Sequence, residues 1–252
     1  MTRTIDLNAD MGEGYGPWQM GDDAGMLQVI SSANIACGAH AGDPQVMART
    51  MALARDRGVA IGAHPGFADL HGFGRRRMHL SSDELTNLIT YQTGAAAAMA
   101  QSADTRLAHF KLHGALSNMA CEDISIARTC FAAALAVQPD LRLLVLPQTA
   151  LEEAARELAA EWRGEIFADR TYAEDGTLTD RSQPGAVIHD PQQAADSVMA
   201  MLTSGAILST SGRAIPARID TICVHGDSSA ALGIARHLRD TLIGAGYRIT
   251  AR

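Results

Sequence analysis

Apolar and polar positions along this chain follow two rhythms. Apolar runs of strand length, bounded by turn-forming residues, fall at 4–9, 33–37, 59–63, 107–112, 142–146, 165–168 and Thr221–Val224. Between them lie stretches with helix start and stop signals. Asp43 precedes Pro44 and Gly58 closes that stretch. Ser81 and Glu84 form a capping-box pattern, and Asp190 precedes Pro191 with Gly205 as the stop. Met47, Met51 and Ala54 share one face of the first of these helices, and Val198, Met201 and Leu202 share one face of the last, as core-packing stripes do. Residues 207–216, ILSTSGRAIP, break the rhythm and predict a small β-hairpin with a Ser-Gly turn. Strands alternating with helices predict a parallel sheet covered by helices. No linker or fixed-period repeat divides residues 1–252, so the expected fold is α/β, one domain built as a closed or nearly closed β/α barrel of about seven parallel strands. An open doubly wound sheet is the alternative.

Composition narrows the function classes. The length of 252 residues fits one barrel, and 47% hydrophobic residues support a packed core. A net charge of -7 without a basic stripe speaks against nucleic acid. The N-terminus lacks the apolar segment of a secretory signal, and the longest run of small residues, GAAAAMA at 94–100, is too short for a membrane span. A cytoplasmic protein is expected. Cys37, Cys121, Cys130 and Cys223 form no C-x-x-C pair and read as buried, reduced thiols.

The strands carry a second message. In IDLNADMGEGYG, Asp6, Asn8 and Asp10 alternate with apolar residues, with Glu13 just beyond. In HFKLHG the alternating polar positions are His109, Lys111 and His113, and in TICVHGD they are His225 and Asp227. Asp169 and Arg170 end another apolar run. Asn34 opens the second strand and His40 follows it, while His64 follows the third. Polar groups repeated at strand ends predict a pocket at the C-terminal mouth of a barrel. A lysine facing that lumen needs an anionic partner, for which Asp6 and Asp10 are the candidates.

Seven blocks, in order, carry a family resemblance: IDLNADMGEGYG, SANIACGAHAGDP, GVAIGAHPGFADLHGFGRR, HFKLHGAL, EIFADRTY, RSQPGAVIH and DTICVHGD. Together they are similar to the LamB/YcsF family of 5-oxoprolinase A subunits. The resemblance implies a seven-stranded barrel of the glycoside hydrolase/deacetylase kind. It implies cleavage of 5-oxoproline (pyroglutamate) to L-glutamate coupled to hydrolysis of ATP to ADP and phosphate, with Mg2+ accompanying the nucleotide and separate subunits B and C as partners. One block departs from the family's K-P-H-G-A-L-Y-N: Leu112 replaces the proline and Ser117 the tyrosine.

Opening an unactivated lactam needs a base for water, a cation for the developing anion and an acid for the leaving nitrogen. Asp10 or Glu13 is the expected base and Lys111 the cation. His113 or His225 is the expected proton carrier, with Asp227 either orienting an imidazole or capping a helix that starts at Ser228. Asp6, Asn8, Asn34, Arg75, Asp169 and Arg170 are the expected substrate-binding residues, and the loop holding Arg75 reads as a lid. His40 and His64 suit a divalent metal. His109 and His113, about 13 Å apart on a strand, cannot share one ion. The chain lacks a phosphate-binding G-x-x-x-x-G-K-[ST] loop, so ATP contacts are expected largely from partners. Two rival readings are a metal-dependent amide hydrolase or deacetylase, and a non-catalytic 5-oxoproline-binding subunit.

Overall fold

Residues 3–227 and 230–251 are described by a computed structural model. Strands β1 (Arg3–Met11), β2 (Ser32–Ala36), β3 (Ala60–His64), β4 (Leu107–Phe110), β5 (Arg142–Val145) and β6 (Trp162–Phe167) pair in sequence order, all parallel. A short antiparallel hairpin, β7 (Ala206–Leu208) with β8 (Ala214–Pro216), stands outside this sheet. Strand β9 (Thr221–Val224) pairs with β6 on one side and β1 on the other. Among the described residues, seven parallel strands thus close a barrel, and β10 (Tyr247–Ile249) extends the start of β1. The open-sheet alternative is excluded by the β9–β1 pairing, Asp6 to Thr221 through Ala9 to Val224.

The elements follow from their local chemistry. Helices α1 (Asp23–Met26) and α2 (Pro44–Asp56) lie either side of β2. Asp43 caps α2, accepting from the amides of Gln45 and Val46, and Val46, Met47, Met51 and Ala54 are buried against the barrel. Each large side chain so buried contributes roughly 1.5–3 kcal/mol. Helix α3 (Ser82–Ser102) opens with the Ser81–Glu84 capping box. Two helices, α4 (Gly114–Glu122) and α5 (Ile124–Val137), fill the β4–β5 connection, and α6 (Ala150–Glu157) follows β5. Helix α7 (Pro191–Ser204) is capped by Asp190 and ends at Gly205 with φ of 63°, a left-handed conformation suited to glycine. Helix α8 (Ala231–Gly244) follows β9.

Inside the barrel the strands present polar residues and outside they present apolar ones. Leu7, Ala9 and Met11 face the helices, whereas Asp6, Asn8 and Asp10 share the opposite face, and all six are buried. Gly62 on β3 makes room for the His109 ring: a Cβ there would stand 2.1 Å from it. Strand β4 ends at Phe110, earlier than the apolar run suggests. Yet the amides of Lys111 and His113 still donate to the carbonyls of Ala63 and Pro65, which preserves the alternation.

Candidate active site

The polar interior is layered. At the N-terminal end of the barrel, Asp6 accepts hydroxyl hydrogen bonds from Ser31 (2.6 Å), Ser32 (2.8 Å) and Thr221 (2.6 Å). Above it, the Asn8 amide donates to Thr221 Oγ1 and Glu165 Oε1, and the Asn34 amide donates to Asn8 Oδ1 and Asp10 Oδ1. His109 Nε2 lies 2.7 Å from Asn34 Oδ1, and burial together with Arg142 pushes its imidazole down to about 3, so the ring is neutral. Asp6, Asn8 and Asn34 therefore lie beneath the pocket, Asn8 and Asn34 bonded to each other and Asp6 to hydroxyls.

The next layer is charged. Lys111 Nζ lies 3.0 Å from Asp10 Oδ1, 3.0 Å from Glu165 Oε1 and 2.9 Å from Cys223 Sγ. Burial favours a neutral amine, but Asp10 and Glu165 outweigh it and raise the ammonium well above its ordinary value. Burial likewise opposes charge on Asp10, yet His64 and Lys111 hold its carboxyl well below the usual range. The resting partners of Lys111 are thus Asp10 and Glu165, with Asp6 at the far end. Burial raises the Cys223 thiol well above its ordinary value, so it stays protonated and is a poor nucleophile.

Beside Asp10, one ligand atom from each of Glu13, His40, His64 and His113 falls within 4.8 Å of the others, and all four residues are buried. His64 Nδ1 is 2.9 Å from the Lys111 carbonyl and His113 Nε2 is 2.8 Å from the Phe73 carbonyl. Each of these nitrogens must be the protonated one, since a carbonyl only accepts. The other nitrogens, His64 Nε2 and His113 Nδ1, which carry lone pairs when the rings are neutral, face each other at 3.1 Å, and His64 Nε2 also lies 3.4 Å from Asp10 Oδ2. Two lone pairs at that distance repel unless a proton or a metal cation lies between them. His40 stacks on His113 with ring centroids 3.6 Å apart, and neither of its buried nitrogens has a hydrogen-bond partner. Burial and His64 depress the His40 imidazole, burial and His40 depress that of His113, and burial and Asp10 raise the Glu13 carboxyl. Three imidazoles and a carboxylate, two of the rings anchored through their second nitrogens, fit a divalent ion of the zinc type.

These layers open into a cleft of about 450 Å³, lined by Asp10, His64, Lys111, His113, Glu165, Phe167 and His225 and by a rim of arginines. His225 Nδ1 meets both oxygens of Asp169, at 2.9 and 2.8 Å, and its ring stacks on Phe167. Asp169 is held below its ordinary value because His225 outweighs the effect of burial. Asp169, not Asp227, orients this imidazole. Asp227 instead pairs with Arg75 at 2.5 Å. A helix start at Ser228 lies outside the described residues, and α8 has Ala230 at its cap without a side-chain bond. Arg170 donates to the carbonyls of Ala186 and Thr179, which clamps its own loop. The Arg75 loop is pinned rather than free. Phe67 is buried, Arg76 pairs with Asp69, and the Gly74 carbonyl accepts from the Ala115 amide. Leu112 and Ser117 both line the cleft, so the two departures fall on the pocket wall.

Glu165 is the site residue the sequence reading passes over. The signal was available: Glu165, Phe167 and Asp169 alternate, and the outer two flank a cleft-lining aromatic. His113 is the other surprise. It joins His40 and His64 because the chain turns after β4, whereas His109 stays in the lower layer.

A sequence model of the LamB/YcsF family matches residues 5–252. The 5-oxoprolinase A subunit of Ruegeria pomeroyi is 56% identical over 251 residues, 100% of this chain and 99% of that protein. The solved structure of a lactam utilization protein from Thermus thermophilus superposes with a TM-score of 0.92 at 42% identity, covering 99% of this chain and 100% of that one. The catalytic domain of a peptidoglycan N-acetylglucosamine deacetylase from Eubacterium rectale, at a TM-score of 0.54 and 9% identity over 100% of this chain and 89% of that one, shares the barrel fold alone. With the family model spanning nearly every residue and a relative more than half identical along its whole length, the chain belongs to the LamB/YcsF family.

Proposed function

We propose that this chain is the lactam-opening subunit of an ATP-coupled 5-oxoprolinase, releasing L-glutamate from 5-oxoproline with subunits B and C as partners. The observation that carries the reading is that three kinds of group reach one cleft: a buried cation on Lys111, His225 of the His225–Asp169 dyad, and His64 and His113 of the quartet they form with Glu13 and His40. The names of the relatives supply the substrate class.

The geometry supports the following roles. Asp10, ionised and lining the cleft, accepts a proton from the attacking water. Lys111 sits where negative charge grows on the amide oxygen or on a phosphoryl group attached to it. In its protonated form His225 gives its Nδ1–H to Asp169 and presents its Nε2–H to the leaving nitrogen, passing that proton to it as the ring opens and becoming the neutral imidazole. Glu165 and Asn34 hold Lys111 and Asp10 in place. A divalent ion bound by the quartet would supply Lewis-acid polarisation of the amide or of water. ATP with Mg2+ is contacted largely by the partner subunits.

The test is reconstitution with and without B and C, following glutamate and phosphate separately. Glutamate release that needs ATP and all three subunits is the expected result. Glutamate release by this chain alone without ATP, or hydrolysis of unrelated acetamides, favours the rival reading of a metal-dependent amidase. Ligand binding that survives loss of Asp10 and His225 with turnover undiminished favours a binding subunit.

A further inference from the structure

Charge around the cleft can be followed group by group. Asp10 and Glu165 share the Lys111 ammonium. Asp169 holds His225, Asp227 holds Arg75, and Glu122 holds Arg77. Arg170 is occupied by two backbone carbonyls. Asp180, exposed on the same loop, accepts from the amide and hydroxyl of Ser182. One cation is left over. Arg181 lines the cleft half-buried, and among the described residues it has no hydrogen-bond or ion-pair partner. Burial and the neighbouring Arg75 both disfavour its charge, while Asp227 and Asp169 favour it. A guanidinium held in such a place is completed by an anion, and its planar fork matches a carboxylate.

We infer that Arg181 is a substrate-binding residue that receives the carboxylate of the lactam substrate, so that the site selects 5-oxoproline over lactams without that group. The inference rests on the reading of the cleft as a lactam site. The amide must reach Lys111 and the quartet on the floor, so the ring's carboxylate points toward the rim. There the anionic groups already have partners, and Arg181 is the cation available to it. A phosphoryl group on the amide oxygen would sit at the opposite end, beside Lys111. The loop bearing Arg181 is fixed from beneath by the Arg170 clamp, which spares the complex part of the cost of ordering it.

The experiment is calorimetric titration of the full chain with 5-oxoproline and with 2-pyrrolidinone, the same ring without the carboxylate. Wild-type protein is expected to bind 5-oxoproline about 10–100-fold more tightly, the scale of a charge-assisted pair. Arg181→Gln should erase that difference while leaving 2-pyrrolidinone affinity unchanged, which also reports an intact fold. Arg181→Lys, keeping the charge without the fork, should recover part of it. If Arg181→Gln retains the full preference, the assignment is wrong and the lactam reading stands. If wild-type protein binds neither ring, the lactam reading falls and the assignment with it. If Arg181→Gln loses affinity for inorganic phosphate but keeps the lactam preference, the anion is phosphoryl and the carboxylate assignment is overturned.

Discussion

Lys111 shows how a single residue's energetics depend on its partners. A lone buried lysine can be replaced at little cost, but this one neutralises Asp10 and Glu165 together. Lys111→Met should therefore lower turnover by about 10²–10³-fold, and it should also destabilise the fold by roughly 3–5 kcal/mol, because two carboxylates lose their cation. Lys111→Met with Glu165→Gln should recover much of the stability and none of the turnover. Urea melts beside glutamate release separate the two effects, and full activity in either variant would remove Lys111 from the chemistry. Asp169→Asn should cost about 10²–10⁴-fold in turnover, since the amide no longer orients the His225 ring or stabilises its protonated form. Its stability effect has a definite sign with pH. The folded pKa of Asp169 is depressed, so its contribution is complete above the unfolded carboxylate value near about 3.9 and is lost as pH falls through the lower folded value. The stability gap between wild type and Asp169→Asn, measured by urea melts, should be wide at pH 7 and narrow below about pH 4. A gap independent of pH would mean the carboxylate is not the stabilising group.

At the scale of elements, the strand alternation that predicts the barrel also predicts which residues enter it, and the helix caps at Asp43, Ser81 and Asp190 are as local as signals can be. Short elements escape this logic. Strand β10 and helix α1 span three and four residues, too few to show a period. Gly62 is likewise opaque in sequence, because its reason is the His109 ring from the next strand. Gly62→Ala should destabilise by about 1–3 kcal/mol, seen as a lower urea midpoint with unchanged slope, since the ring has to leave its bond to Asn34. A variant as stable as wild type would show that β3 and β4 can separate freely.

At the scale of the whole molecule, the quartet ties the loop after β1 to the ends of β2, β3 and β4. An ion held there bridges four segments and stabilises the folded state by mass action. At about 100 times its dissociation constant that amounts to about 2.7 kcal/mol, or a melting shift of roughly 5–10 °C for a chain of this size. Zinc should raise the melting temperature by that amount, a chelator should reverse it, and His40→Ala should abolish the response. A melting curve indifferent to zinc and chelator would exclude an ion from the quartet. No helix among the described residues is long and apolar enough to cross a membrane.

The chain's own periodicity determined the alternation of parallel strands with helices, the position of the hairpin and the inward face bearing Asp10, Lys111 and His225, because strand alternation and helix capping act between residues close in sequence, whereas closure into a barrel was decided by the pairing of β9 with β1. Only the tertiary structure decided the pairings. That Asp169 rather than Asp227 holds His225, that Glu165 shares Lys111 with Asp10, that Asp6 lies below the cleft and that His113 joins His40 and His64 all depend on how strand ends from opposite sides of a closed barrel meet. Hydrogen bonds and ion pairs are set by separations of a few ångströms across the lumen, and no local pattern encodes those distances.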